Sequence, residues 1–125
     1  MEQQNIAIIG LGRIGSAFLE EMLKKKAGGI RIACVAEFNE TAGRALAEAN
    51  GIQVVTLDDI VAMGNDIDVI FDLTGLPTVR KELREKLTTA NNRHTVIASE
   101  TIMRVIWALI SDSSLPFIAG RKVGY

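Results

Sequence analysis

The sequence predicts an α/β domain: a doubly wound parallel sheet with helices on both faces, three layers in all. Three observations predict it. Short apolar runs alternate with longer segments of helical periodicity. The runs are continuous rather than alternating, as in strands covered on both sides. The alternation persists along the chain, which implies right-handed crossovers between parallel strands. At 125 residues the chain suits one domain of ordinary size.

Ile6 to Ile9 is the first apolar run, and it leads directly into Gly10-Leu11-Gly12-Arg13-Ile14-Gly15. From Ile14 onward Ala17, Phe18 and Met22 share a helical face, which Leu19 and Leu23 widen. Lys24-Lys25-Lys26 place cations where the helix dipole favours them, and Gly28-Gly29 end the helix. Ile30 to Ala36 is the second strand. Thr41 to Asn50 is an alanine-rich helix that stops at Gly51. Gln53 to Thr56 is a weak third strand, and Thr56 with Asp59 forms a capping pattern for a short third helix. Asp68 to Phe71 is the fourth strand. Pro77 suits the first turn of a fourth helix. Val79, Leu83 and Leu87 line one of its faces, with Lys81–Glu85 and Glu82–Lys86 as i,i+4 pairs elsewhere. Thr95 to Ala98 is the fifth strand, Ser99 caps a fifth helix running to about Ser111, and Pro116 to Ala119 reads as a sixth strand.

The glycine pattern carries the chemistry. G-x-G-x-x-G sits between a predicted strand and a predicted helix, and each glycine answers a different need. Gly10 permits the tight turn, Gly12 lets a pyrophosphate approach the backbone, and Gly15 lets the helix pack close to the sheet. Free amides at the helix start, including that of Ile14, face the phosphates along the positive end of the dipole. Arg13 can add a charge-assisted contact. Glu37 ends the second strand 22 positions after Gly15, near the roughly 20 expected of an acidic residue that accepts from the adenosine ribose. A carboxylate there repels a 2′-phosphate, so NAD is favoured over NADP. Thr74 and Gly75, after the fourth strand, are expected beside the first loop at the carboxyl ends of the strands, either as further cofactor contacts or as an ordinary strand-to-helix turn. Asp72 is read as capping neighbouring amides.

From Ile6 to Ala98, about three quarters of the chain, these motifs resemble the N-terminal NAD(P)-binding Rossmann domain of the glucose–fructose oxidoreductase and inositol dehydrogenase family. They are also similar to the cofactor domains of L-aspartate dehydrogenase, homoserine dehydrogenase and dihydrodipicolinate reductase. The resemblance rests on Gly10 to Gly15, Val35-Ala36-Glu37, the helix Thr41 to Asn50 with Gly51-Ile52, Asp68 to Asp72, and His94 to Ile97. It implies a dinucleotide clasped by the first loop and Glu37, and hydride transfer carried out with a second, C-terminal domain. The family's Glu-Lys-Pro after the fifth strand is here Glu100-Thr101-Ile102, so the lysine is absent. The family's C-terminal α+β domain is not expected within these 125 residues, and the chain alone is expected to be inactive.

Other chemistries are excluded or set aside. With 14 basic and 15 acidic residues the formal charge is −1, which gives no drive toward nucleic acid or an anionic membrane. One cysteine and one histidine allow neither an internal disulfide nor a zinc site, and no metal site is expected. Met1 to Asn5 do not read as the basic start and apolar run of a signal peptide and no apolar stretch is long enough to span a bilayer, so a reducing, cytoplasmic setting is expected. His94 falls at the amino end of its strand, remote from the loop, and Cys34 reads as a small buried hydrophobe. Ser111 to Ser114 is a loop without triad partners, and Glu100 is assigned to the helix dipole. No residue is singled out as catalytic.

The fifth helix is apolar nearly all round, with Ile102, Val105, Ile106 and Leu109 on one stripe and Met103, Trp107 and Ile110 on another. Met103 and Trp107 are expected to face a second copy of the chain, as a homodimer, or a missing C-terminal domain. The leading function is therefore the NAD(H)-binding domain of an oxidoreductase. Beside it stand a non-catalytic nucleotide-sensing module and a loop that holds coenzyme A or another phosphate ligand.

Overall fold

A computed structural model describes residues 3–24, 29–111 and 115. The elements run β1 Gln4–Ile9, α1 Arg13–Lys24, β2 Ile30–Ala36, α2 Ala42–Ala49, β3 Gln53–Val54, α3 Leu57–Ala62, β4 Val69–Asp72, α4 Pro77–Thr89, β5 Val96–Ala98 and α5 Glu100–Ile110. A single 3₁₀ turn at Gly64–Asp66 precedes β4. The strands pair in parallel as one sheet in the order β3-β2-β1-β4-β5. Chain order reverses at β1, between β2 and β4, and that switch point opens a crevice at the carboxyl ends of the strands.

β1, β2, β4 and β5 divide their side chains between two cores. Ile6, Ile8, Val35 and Phe71 point into one with Ile14, Phe18, Leu19 and Met22 of α1 and Met103 and Trp107 of α5. Ala7, Ile9, Cys34, Ala36 and Ile70 point into the other with Ile60 of α3 and Leu83 and Leu87 of α4. Both faces are thus apolar, which explains the unbroken hydrophobic runs. Phe18 and Phe71 lock α1 to the sheet, their ring centroids 5.0 Å apart and tilted by 54°, an arrangement aromatic pairs favour.

The local signals perform as read. Thr56 and Asp59 form a reciprocal capping box on α3, Thr41 caps α2, Ser99 caps α5, and Pro77 opens α4. β3 keeps only two of its four expected residues, and β4 runs one residue further, so that Asp72 belongs to the strand and pairs with Ile9 of β1. The expected Glu82–Lys86 pair gives way to a tertiary one: Lys86 Nζ lies 2.6 Å from Asp58 Oδ1 across the α3–α4 interface. Lys25, Lys26, Gly28 and the sixth strand at 116–119 lie outside the described residues.

The assignment of the fifth helix is corrected. Met103 is fully buried and Trp107 nearly so, both packed on the chain's own sheet, so they do not face a second copy or another domain. The outward stripe is Ile102, Val105 and Leu109. A helix apolar all round does not declare which stripe the sheet takes. The sheet took the pair with the larger side chains, Trp and Met, because these bury the most apolar surface.

At the amino end of the sheet Asp68 joins three strands. Its Oδ2 accepts from the Asn5 amide at 2.7 Å and its Oδ1 lies 2.6 Å from His94 Nε2. His94 is therefore structural, as its position in the sequence indicates. The Asn5 amide, and after it His94, hold the Asp68 carboxyl below its ordinary value of 3.8. A lowered folded-state pKa gives stability that is present above the unfolded value and lost as pH falls through the folded one. Denaturant unfolding should therefore show Asp68→Asn less stable than wild type at pH 7, with the gap narrowing below about pH 3.9. A gap that stays constant with pH would remove Asp68 from this role.

Candidate functional site

The site grows from the first turn of the chain. β1 ends at Ile9, and the chain leaves it through Gly10, whose φ of +92° lies in the left-handed region. A β-carbon there would meet the Thr74 amide nitrogen at 2.8 Å and the Leu73 carbonyl carbon at 2.9 Å. Gly10 thus serves the turn and the close approach of the β4–α4 loop together. A β-carbon on Gly15 would overlap the Gly10 carbonyl oxygen, so the loop and the first turn of α1 close on one another only without it. The residue between them differs. A β-carbon on Gly12 would meet nothing within 4 Å, and Gly12 has no positive φ.

The loop delivers the amino end of α1 to open space. The first-turn amides of a helix lack intrahelical acceptors, and the first turn of α1 holds no acidic side chain. Arg13 is exposed at this end, while the Ile14 side chain is buried in the core, so Ile14 can offer only its backbone. Within the first turn of α1 no side chain offsets the positive end of the helix dipole; the nearby anion is Glu37, which accepts from the Leu11 amide just before the turn begins.

Glu37 reaches back to the same loop. Its Oε1 accepts from the Leu11 amide at 2.7 Å and its Oε2 from the Asn39 amide at 3.0 Å. An ionised carboxylate has about four acceptor positions, so two remain after these bonds. Phe38, the next residue, is 99% exposed. The Arg44 guanidinium of α2 lies beneath this turn, with Nη1 donating to the carbonyl oxygens of Glu37 at 2.9 Å and Phe38 at 3.3 Å.

The opposite wall is the β4–α4 loop. Asp72 is fully buried; its Oδ1 accepts from the Thr74 amide and hydroxyl, and its Oδ2 from Arg80 Nε at 2.9 Å. It caps this turn, as expected. The Thr74 hydroxyl, which donates to Asp72, also accepts from the Leu76 amide, so the turn already engages it twice. Gly75 follows with φ of +71°.

Gly10, Gly12, Glu37, Phe38, Arg44 and Thr74 border a single cleft of about 840 Å³ at the carboxyl ends of β1, β2 and β4. That volume is in the range of small-molecule and cofactor sites. Asp58 and Lys86 close its far end. Of the residues the sequence points to, Gly10, Gly12, Glu37 and Thr74 come together here, while Arg13, Ile14, Gly15 and Gly75 do not line the cleft; Phe38 and Arg44 join it with no sign in the sequence. Glu100 is fully buried with its Oε1 3.2 Å from Arg104 Nη2, facing the core side of α5. The Cys34 thiol is pushed up to about 11 by burial, which suits a core residue and not a nucleophile. Among the described residues no cluster of acidic, histidine or cysteine side chains could hold a metal, and no helix is long and apolar enough to cross a membrane.

A five-stranded parallel sheet with this glycine turn at its switch point defines a Rossmann domain of the dinucleotide-binding class. Residues 4–98 match the model of the oxidoreductase family with an NAD-binding Rossmann fold. The chain belongs to that family. Among solved structures it is similar to a Sinorhizobium meliloti protein assigned as a myo-inositol dehydrogenase, at 26% identity over 88% of this chain and 33% of that one, with a TM-score of 0.61. Homoserine dehydrogenase of S. aureus matches at 16% identity over 88% of this chain and 30% of that one, with a TM-score of 0.61. The scyllo-inositol dehydrogenase of Lactobacillus casei matches at 19% identity over 87% and 34%, with a TM-score of 0.58. The last two likenesses are of fold. This chain spans about a third of the length of these structures. No curated protein matches it significantly.

Proposed function

We propose that this domain binds NAD(H) in preference to NADP(H) and serves an oxidoreductase whose substrate-binding part lies in another domain. One observation carries the reading. Gly10 and Gly15 are required by the protein's own packing, whereas a β-carbon on Gly12 would meet none of the described residues, so its bare backbone stands open to a ligand. Beside it lie the amides that open α1, and together they fit a pyrophosphate. Gly10, Gly12, Arg13, Ile14 and Gly15 then hold the diphosphate, all but Arg13 through the backbone alone. Glu37 accepts from the adenosine ribose hydroxyls with its two remaining acceptor positions, and the exposed Phe38 ring offers an apolar face to the adenine end. Thr74 and Gly75 border the nicotinamide half.

When bound, the nicotinamide supplies the hydride acceptor or donor. The residues of this chain bind and orient it. None is assigned as the acid or base, which fits relatives roughly three times as long. A reducing, cytoplasmic compartment suits a chain with one buried cysteine.

Calorimetric titration with NAD⁺, NADH, NADP⁺ and coenzyme A tests the reading, with NAD⁺ or NADH expected to bind tightest. Glu37→Gln keeps an acceptor for the Leu11 amide but removes the charge. It should weaken NAD⁺ by roughly tenfold, the worth of one charged hydrogen bond, and leave NADP⁺ unchanged or tighter. An equal loss for both would mean that Glu37 does not read the ribose. Tightest binding of coenzyme A would redirect the site to another phosphate ligand.

A further inference from the structure

An arginine at the third position of α2 is poorly explained by the helix itself. A cation there opposes the helix dipole, and a glutamate would complete a capping box with Thr41. Arg44 instead turns away from its helix. Its Nη1 donates to the carbonyl oxygens of Glu37 and Phe38 at 2.9 and 3.3 Å. Its Nε lies 3.9 Å from Glu48 Oε1, longer than a hydrogen bond. The Nε is buried without a hydrogen-bond partner among the described residues, so this i,i+4 approach does not account for the arginine. The side chain is only 26% exposed. What the guanidinium secures is the backbone of the Glu37–Phe38 turn.

We infer that Arg44 is a positioning residue for dinucleotide selection, acting through Glu37. The inference rests on the reading of Glu37 given above. A carboxylate discriminates between a ribose hydroxyl and a ribose phosphate only if its oxygens are held in place, to within about 0.5 Å for a well-organised site. Two of the bonds that hold it run to amides, of Leu11 and Asn39, and the Asn39 bond closes the turn that Arg44 supports. With the clamp removed, the peptide units of Glu37 and Phe38 rotate more freely and the carboxylate samples more positions. The hydroxyl then loses a fixed acceptor, and a 2′-phosphate meets less concentrated repulsion. Phe38, which extends fully into solvent from the same turn, loses its fixed direction as well. Arg44 also borders the cleft, which raises the opposite role of receiving a 2′-phosphate by charge alone. The two roles shift cofactor preference in opposite directions.

Dissociation constants of the purified protein for NAD⁺ and NADP⁺, measured by calorimetry, decide between them. Arg44→Met keeps the apolar stem and removes the donors. NAD⁺ affinity is expected to fall by roughly tenfold while NADP⁺ stays within about twofold, so the preference for NAD⁺ drops. An unchanged preference, or a larger loss for NADP⁺, overturns the inference. Glu37→Gln run beside it separates the two readings. If Glu37→Gln shifts the preference and Arg44→Met does not, Arg44 is not the positioning residue and Glu37 still reads the ribose. If neither shifts it, the Glu37 reading fails and this one falls with it. Should Arg44→Met not fold, Arg44→Lys keeps the charge without the planar donor fork. The same drop in preference is expected of it, and wild-type preference overturns the inference.

Discussion

Gly12→Val is expected to abolish NAD⁺ binding in a protein that remains folded. The β-carbon itself meets nothing within 4 Å among the described residues, so the described core is undisturbed. Glycine is a better residue than valine at the position before a helix, and the exchange costs about 1 kcal/mol there. Three side-chain carbons would then stand where the diphosphate needs the bare backbone. An affinity loss of roughly a hundredfold or more is expected, with the melting temperature of the ligand-free protein lowered by only roughly 4 °C. Added NAD⁺ should raise the wild-type melting temperature by mass action and leave that of the variant unmoved. A variant that still binds would mean that the diphosphate does not cross Gly12.

Gly15→Ala is expected to do the reverse and damage the fold. Its single added carbon overlaps the Gly10 carbonyl oxygen, a backbone atom in a turn already fixed from the other side by Leu73 and Thr74. No flexible side chain can yield. Overpacking of a rigid contact costs about 3 kcal/mol or more, a large part of the roughly 5–15 kcal/mol that holds a domain together. Thermal unfolding should shift down by roughly 10 °C or more. Equal melting temperatures for Gly15→Ala and wild type would show that the loop and α1 relax apart, and that Gly15 is not a packing glycine. The two variants together assign the motif's glycines to different tasks: one to the ligand, the other to the chain.

Much of this architecture was legible in the sequence because its causes are local. The turn at Gly10, the start of α1, the capping box of Thr56 and Asp59, and the Asp72 cap all arise within a few residues of the group that needs them. Glu37 was legible through spacing alone, since a strand and helix of ordinary length return the chain to the first loop. The remaining features depend on contacts that no periodicity records. Arg44 grips carbonyl oxygens six and seven residues back, and a backbone acceptor leaves no mark in the sequence. Phe38 followed an apolar strand and looked unremarkable until its exposure was known. Lys86 had a partner at the right helical spacing in Glu82, yet packing of α3 on α4 brought Asp58 closer. For α5 the pattern was ambiguous in itself: a helix with two apolar stripes has two ways to face a sheet, and volume, not periodicity, selected Met103 and Trp107.

The outward stripe of Ile102, Val105 and Leu109 is the converse of that choice. It is separate from the cleft, which is bordered by β1, β2, β4 and the segments that follow them. Binding of a dinucleotide by the glycine loop does not require it.

The most direct measurement is amide chemical-shift mapping of the isotopically labelled protein as NAD⁺ is added. The largest shifts should fall on Gly12, Arg13, Ile14 and Gly15, with a second group at Glu37 and Phe38. The amides of Asn5, Asp68 and His94, at the amino end of the sheet, should stay still. Shifts concentrated at that end, or saturation with the Gly12 to Gly15 amides unmoved, would contradict the account.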